Sequence, residues 1–301
     1  MRPIVPPPPP PPLPFSIFRI RRNSFLGLLQ PLPLELLELI FEFCHLQSLF
    51  HFLRLNRLAY NLVKRSLIYS TLTKHALDSL RVLSRTNTAS YFTALHLLEV
   101  LSSRDCVHCG KPGFFLYLPE CVRSCYTCVR VPEFETMQMA DAVAAFGLTK
   151  RSMSKVPVST TITRPGKRPS KLVSVRLARI AARVQHGGEN SLAAYLTNPG
   201  PKKKQVYEAR VSRWIARREF SHRQSALLSK VVIPFPHLDR TTGVAHTGVW
   251  CRACLISCLN LWESAPGRDA WQAGYTEDQF FRHVSQDCPG ARKIWTEMQE
   301  M

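Results

Sequence analysis

The chain has 301 residues, 45% of them hydrophobic, a formal charge of +19 and ten cysteines. The apolar share supports a packed core and excludes a wholly disordered chain, while the charge points to acidic partners: nucleic acid, an anionic surface or an acidic protein. No apolar run approaches the ~20 residues of a membrane helix, and Pro6 to Pro12 stand where a signal peptide would need its apolar stretch. Ten cysteines without such a signal point to a reducing compartment, so the expected location is the nucleus and/or the cytoplasm, with no membrane partner. Thiols in a reducing compartment serve as metal ligands rather than disulfides.

Residues 1–30 read as a Pro-rich leader, an extended polyproline II arm without a core. A helical module over 31–75 follows. Pro33 can open a helix, because its fixed φ suits the first turn and its missing N–H would have no partner there. Glu35 and Glu38 then sit near the positive end of the helix dipole. Leu36, Ile40 and Phe43 recur at helical spacing, and so do Leu37, Phe41 and Cys44. That apolar arc is wider than one core face needs. A second helix is expected from Ser48 as N-cap, carrying Leu49, Phe52, Leu53 and Leu55 ahead of Arg57. A short module with this much apolar surface cannot bury all of it, and the surplus reads as a groove for another protein.

Residues 61–101 continue helical, with no Gly or Pro to interrupt them. Within them Ser90 is the expected N-cap of a helix whose face is Tyr91, Leu95, Leu98 and Leu101. His75 and His96 take no assigned role. Residues 76–148 then join the last of these helices to a first cysteine set. Cys106-x2-Cys109 and Cys125-x2-Cys128 are separated by 15 residues, a spacing suited to a four-thiolate zinc site. Each pair can place two sulfurs on one ion, and Gly110 gives the first turn its φ freedom. Phe114 to Leu118 between them reads as a short strand. Cys121-x3-Cys125 could replace the second pair, leaving Cys128 free. Four protein thiolates would make the site structural, with no open position for water.

From 148 to 230 there are 19 Lys or Arg against three Glu. Residues 149–171 read as a basic linker, broken by Pro157, Pro165, Gly166 and Pro169. The basic helical region 172–235 opens with an expected amphipathic helix over 172–184. Its apolar stripe is Val173, Leu177 and Ile180, and Gly187-Gly188 ends it. A second helix with the stripe Tyr207, Val211, Trp214 and Ile215 follows the Lys202 to Lys204 tip. These arginines suit a solvated face, an acidic partner or nucleic acid, with no base-reading motif beside them.

The C-terminal region 236–301 holds a second set: Cys251-x2-Cys254, then His283-x4-Cys288. Three sulfurs and one imidazole suit a second structural zinc ion. Cys258 could displace one ligand. Thr276, with Glu277 and Asp278 behind it, caps the helix that presents His283. No P-loop, Gly-x-Ser-x-Gly elbow or His-Glu-x-x-His is present.

Leu32-Pro33-x-Glu35-Leu36, Ile40 and the run Leu49-x-x-Phe52-x-x-Leu55-Asn56-Arg57 resemble an F-box. With the cysteine pairs, GFFLYLPEC, Phe146 to Arg151, VVIPFPHLDR and the close at Phe280, His283, Cys288, Ala291 and Trp295, the chain looks like the fungal F-box proteins with zinc-binding segments. The resemblance implies a mainly α protein: an F-box-like helical module, then helical segments with two small zinc-stapled α+β knuckle regions. It implies a non-catalytic substrate receptor of a Skp–cullin–F-box ubiquitin ligase, binding the Skp-type adaptor through Leu32, Pro33, Leu36, Ile40, Leu49, Phe52, Leu53 and Leu55. An unknown protein target would bind the remainder. The alternative is a nuclear zinc protein that binds nucleic acid through residues 150 to 223.

Overall fold

A computed structural model describes residues 25–198 apart from 126, 131–133 and 163–167, residues 231–253 apart from 252, and residues 274–288, with isolated positions between 205 and 212 and between 290 and 296. Helices lead the described part: α1 Leu34–Phe43, α2 Leu46–Leu55, α3 Arg57–Arg65, α4 Leu67–His75, α5 Leu77–Arg85 and α6 Ala94–Ser102. Pro33 stands at the start of α1, as its ring predicts. The second helix begins two residues before the expected Ser48, after His45. The backbone there is set by a partner segment rather than by a side-chain cap: the Leu46 N–H donates to the Phe92 carbonyl (3.0 Å) and the Ala94 N–H to the Cys44 carbonyl (3.1 Å). Asn56 caps α3 through the Ala59 N–H (2.9 Å), and its amide donates to the Phe25 carbonyl (2.8 Å).

The stretch 61–101 is broken without Gly or Pro. Hydroxyls take the role of breakers: Ser66 donates to the Val63 carbonyl (2.7 Å) and Thr86 to the Val82 carbonyl (2.8 Å), competing with the helical ladder. Asn87 then turns at φ 60°. Ser90 is not the cap of α6; Thr93 is, accepting from the His96 N–H at 3.1 Å. The sealed face of α6 is accordingly Ala94, Leu97 and Leu101.

A hairpin of β1 Phe115–Tyr117 and β2 Val122–Ser124 follows, and α7 Met139–Phe146 comes after β3 Thr136–Gln138. Residues 150–153 and 159–160, within the stretch read as a linker, form α8 Lys150–Met153 and β4 Ser159–Thr160. The helix expected over 172–184 is in part a strand, β5 Lys171–Ser174, followed by α9 Val175–His186. Ser174 divides them, its side chain accepting from the Leu177 N–H. Val173 therefore belongs to the sheet, Ile180 is exposed, and the buried stripe of α9 is Ala178 and Ala182. Gly187 ends α9 at φ +81° and α10 Glu189–Thr197 succeeds it. Tyr207, Val211, Trp214 and Ile215 lie outside the described residues.

Strands β6 Val232–Pro234, β7 His237–Leu238 and β8 Ala245–His246 precede α11 Glu277–Arg282, where Thr276 and Gln279 complete a reciprocal capping box. One antiparallel sheet has the order β2–β1–β6, with Leu116 opposite Arg123 and Ile233; a second has β3–β5–β4. Strand β1 is buried on both faces. Leu116 and Leu118 enter the core of α1 to α6, while Tyr117 points to the cysteine side. The helical module thus shares one core with the hairpin, Phe235 and Leu238. No helix among the described residues is long and apolar enough to cross a membrane.

Candidate metal centres and an exposed helical face

The first cysteine set is assembled by the ends of the β1–β2 hairpin. Cys106 and Cys109 precede β1, in a turn closed by the Gly110 N–H on the Cys106 carbonyl (3.0 Å) and the Cys106 N–H on the Lys111 carbonyl (2.7 Å). Gly110 holds φ +67°, the conformation its place in that turn requires. Val107 is tied to the carbonyl of Arg123 on β2. Cys125 and Cys128 leave β2 in a matching turn, the Cys128 N–H lying 3.4 Å from the Cys125 sulfur. The four sulfurs all fall within 4.8 Å of one another.

That arrangement fits a metal ion. Four thiolates at ~2.3 Å from a tetrahedral centre stand about 3.8 Å apart, and the Cys109 and Cys125 sulfurs are 3.6 Å apart. A disulfide would bring them to ~2.05 Å, and both cysteines are free. Burial pushes the Cys125 and Cys128 thiols up. Cys121 takes no part. It is fully sealed in the helical core at φ 49°, its carbonyl accepting from or facing the His96 Nε2 at 2.9 Å. His108 is exposed and turns its ring edge to Phe134.

Of the second set, Cys251, His283 and Cys288 also converge within 4.8 Å, with 3.8 Å between the two sulfurs. All three are buried. His283 opens a π-helical turn, His283–Asp287, directly after α11, and the Tyr275 ring stacks on its imidazole at 4.6 Å. Tyr275 is itself held by a two-bond bridge to Val249, both 2.9 Å. Cys254 and Cys258 lie outside the described residues. Either three-ligand or four-thiolate set can hold an ion.

The residues read as adaptor contacts divide. Leu49 and Leu53 are 0% and 4% exposed and serve the helical core, so in this fold they offer a partner no surface. Leu32, Ile40 and Phe52 are half-buried, with Phe52 edge-on to Phe41, and Pro33 is exposed. Leu36 and Leu55 remain open at 47% and 53%. Leu39, and Phe43 of the apolar arc, stand outside the expected adaptor set and are 50% and 61% exposed. At 100° per residue Leu36, Leu39, Ile40 and Phe43 make one arc, beside the buried pair Leu37 and Phe41. The width of the arc signals a surplus without saying which side chains form it: seven apolar positions in ten leave several outside whichever face packs.

The basic helix is largely engaged. Arg176 pairs with buried Glu120, which also accepts from the Ser174 hydroxyl, and Arg179 and Arg183 both pair with Glu189. Three of the arginines read as a nucleic-acid surface therefore already face carboxylates.

The family model for the F-box domain matches residues 29–71. Neither curated proteins nor solved structures produced a match.

Proposed function

We propose that this protein is a substrate-receptor subunit of a Skp–cullin–F-box ubiquitin ligase. The observation that carries the reading is the open apolar arc Leu36, Leu39 and Phe43 on α1, inside the segment that matches the F-box domain. An exposed stripe of this kind on a short helix is suited to burial under a Skp-type adaptor, which in turn reaches the cullin complex. The receptor has no bond chemistry of its own. Holding a target protein beside a charged ubiquitin-conjugating enzyme raises the effective concentration of its lysines.

In this reading Cys106, Cys109, Cys125 and Cys128 hold one structural Zn2+, and Cys251, His283 and Cys288, completed by Cys254, hold a second. Each set would contribute metal-coupled folding free energy of order 10 kcal/mol, and the first would fix the hairpin that shares the helical core.

The test is retention of a Skp-type adaptor by the full-length chain, comparing wild type with Leu39→Asp and Phe43→Asp. Both side chains are exposed, so the variants should fold as wild type does and lose the adaptor. Leu53→Asp is unsuitable, because it would place a charge in the core. A wild-type chain that fails to retain the adaptor overturns the reading.

A further inference from the structure

Two open grooves meet on the side of α4 that faces the β6–β8 segment. One, of about 550 Å³, lies between α4 and the β7–β8 hairpin and is lined by Leu67, Lys74 and Arg240. The other, of about 390 Å³, crosses the α4–α5 junction and is lined by Arg81 and Trp250. Lys74 and His75 line both, so the grooves adjoin. Two large apolar side chains stand open along them: Leu67, 76% exposed, and Trp250, 37% exposed.

Charge along this path is unbalanced. Lys74, Arg81 and Arg240 face a single lining carboxylate, Asp78, and that carboxylate is already taken by Arg81 Nη1 at 2.8 Å. Arg81 Nε is buried with no acceptor. Arg240 is held at the rim by its Nε on the Ser102 hydroxyl at 2.7 Å, and no carboxylate is paired with Lys74 among the described salt bridges. Cations without counter-charge, interleaved with exposed apolar side chains, complement a chain that carries both carboxylates and large apolar residues. A nucleic-acid track would want its cations at phosphate spacing and would have little use for Leu67 or Leu98 on the floor.

We infer that these adjoining grooves bind an extended Asp/Glu-rich segment of the target protein, its carboxylates against Lys74 and Arg240 and its apolar side chains against Leu67 and Trp250. The inference names the target class for the receptor reading above and rests on it.

The test is fluorescence anisotropy of the full-length chain with a fluorescein-labelled peptide rich in Asp and Glu and carrying one Leu and one Trp. Wild type should bind it, and the Asn/Gln counterpart should bind far more weakly. Lys74→Glu with Arg240→Glu should weaken binding at least about tenfold, and Trp250→Ala should weaken it at unchanged salt dependence. Lys150→Glu with Arg151→Glu makes the same charge change on exposed α8 and should leave binding within about twofold. No binding by wild type, equal binding of the amide peptide, or equal loss in both charge pairs overturns the proposal. Adaptor retention is measured on the same preparations. Retained adaptor with a failed peptide result removes the groove alone, whereas bound peptide without adaptor removes the receptor reading.

Discussion

Arg123 donates twice to the Val100 carbonyl, from Nε at 3.2 Å and Nη2 at 3.0 Å, although the residue is only 2% exposed. Its remaining donors reach the carbonyls of Leu101, Gly113, Phe235 and Pro236. Val100 and Leu101 lie in the last turn of α6, where helical carbonyls lack intrahelical partners and the dipole favours a cation. The guanidinium also lies over the Phe235 ring at 4.7 Å. One side chain on β2 thus joins the C-terminus of α6, the entry to β1 and the turn after β6. Burial, opposed by nearby Asp105, brings its pKa down from the usual value to about 10, and it stays charged at neutral pH.

Replacing Arg123 by Met keeps much of the volume and strands several buried carbonyls. Unfolding in urea should show a loss of about 3 kcal/mol or more. Arg123→Lys should recover little, because a single ammonium has three donors and no planar fork to span three segments.

The division of leucines in the opening helices has a direct stability test. Leu49→Ala empties a sealed position and should cost about 2–5 kcal/mol in denaturant unfolding. Leu39→Ala removes an exposed side chain and should change stability by about 0.5 kcal/mol or less. Equal costs would mean that α1 packs its outer arc within the chain.

Metal content separates the cysteines. Purified protein should carry about two zinc ions per chain by atomic absorption. Cys109→Ala should remove one and Cys288→Ala the other, while Cys121→Ala, outside the converging sulfurs, should remove none. Because Leu116 and Leu118 belong to the core of α1 to α6, chelation should also lower the melting temperature of the helices rather than spare them.

Two glycines at positive φ should respond differently to alanine. Gly187 sits at φ +81° with open space around it, so Gly187→Ala meets only the backbone penalty of about 1 kcal/mol. Gly147, at φ +62°, would set a Cβ 2.3 Å from the Tyr195 hydroxyl oxygen. That ring is packed 4.5 Å from His186, whose Nε2 lies 3.1 Å from the Phe146 carbonyl, so Gly147→Ala should cost clearly more than Gly187→Ala in the same melt.

Local signals in the chain were read correctly where a single residue acts on its neighbours. Pro33 at the start of α1, Thr276 as the cap of α11, Gly110 in the first knuckle and Gly187 after α9 are of this kind. Ser48 and Ser90 failed as caps because each has a nearby competitor held by long-range contacts: His45 bridges to Thr93, and Thr93 caps α6. Residues 172–174 have helical periodicity, yet pair with Thr136 to Gln138 because a strand edge was there to receive them.

By itself the amino-acid order determined the paired thiols, the helix starts at Pro33 and Thr276 and the excess of apolar side chains in the first module, since spacing and capping act over a few residues. Only the tertiary structure decided which of those side chains lie inside. It put Leu49 and Leu53 in the core and left Leu39 and Phe43 in the open, paired Tyr117 with Val232 across more than 100 residues, and gave Arg123 its five carbonyls. Burial belongs to pairs of surfaces that meet, and periodicity within one segment cannot say which partner will arrive.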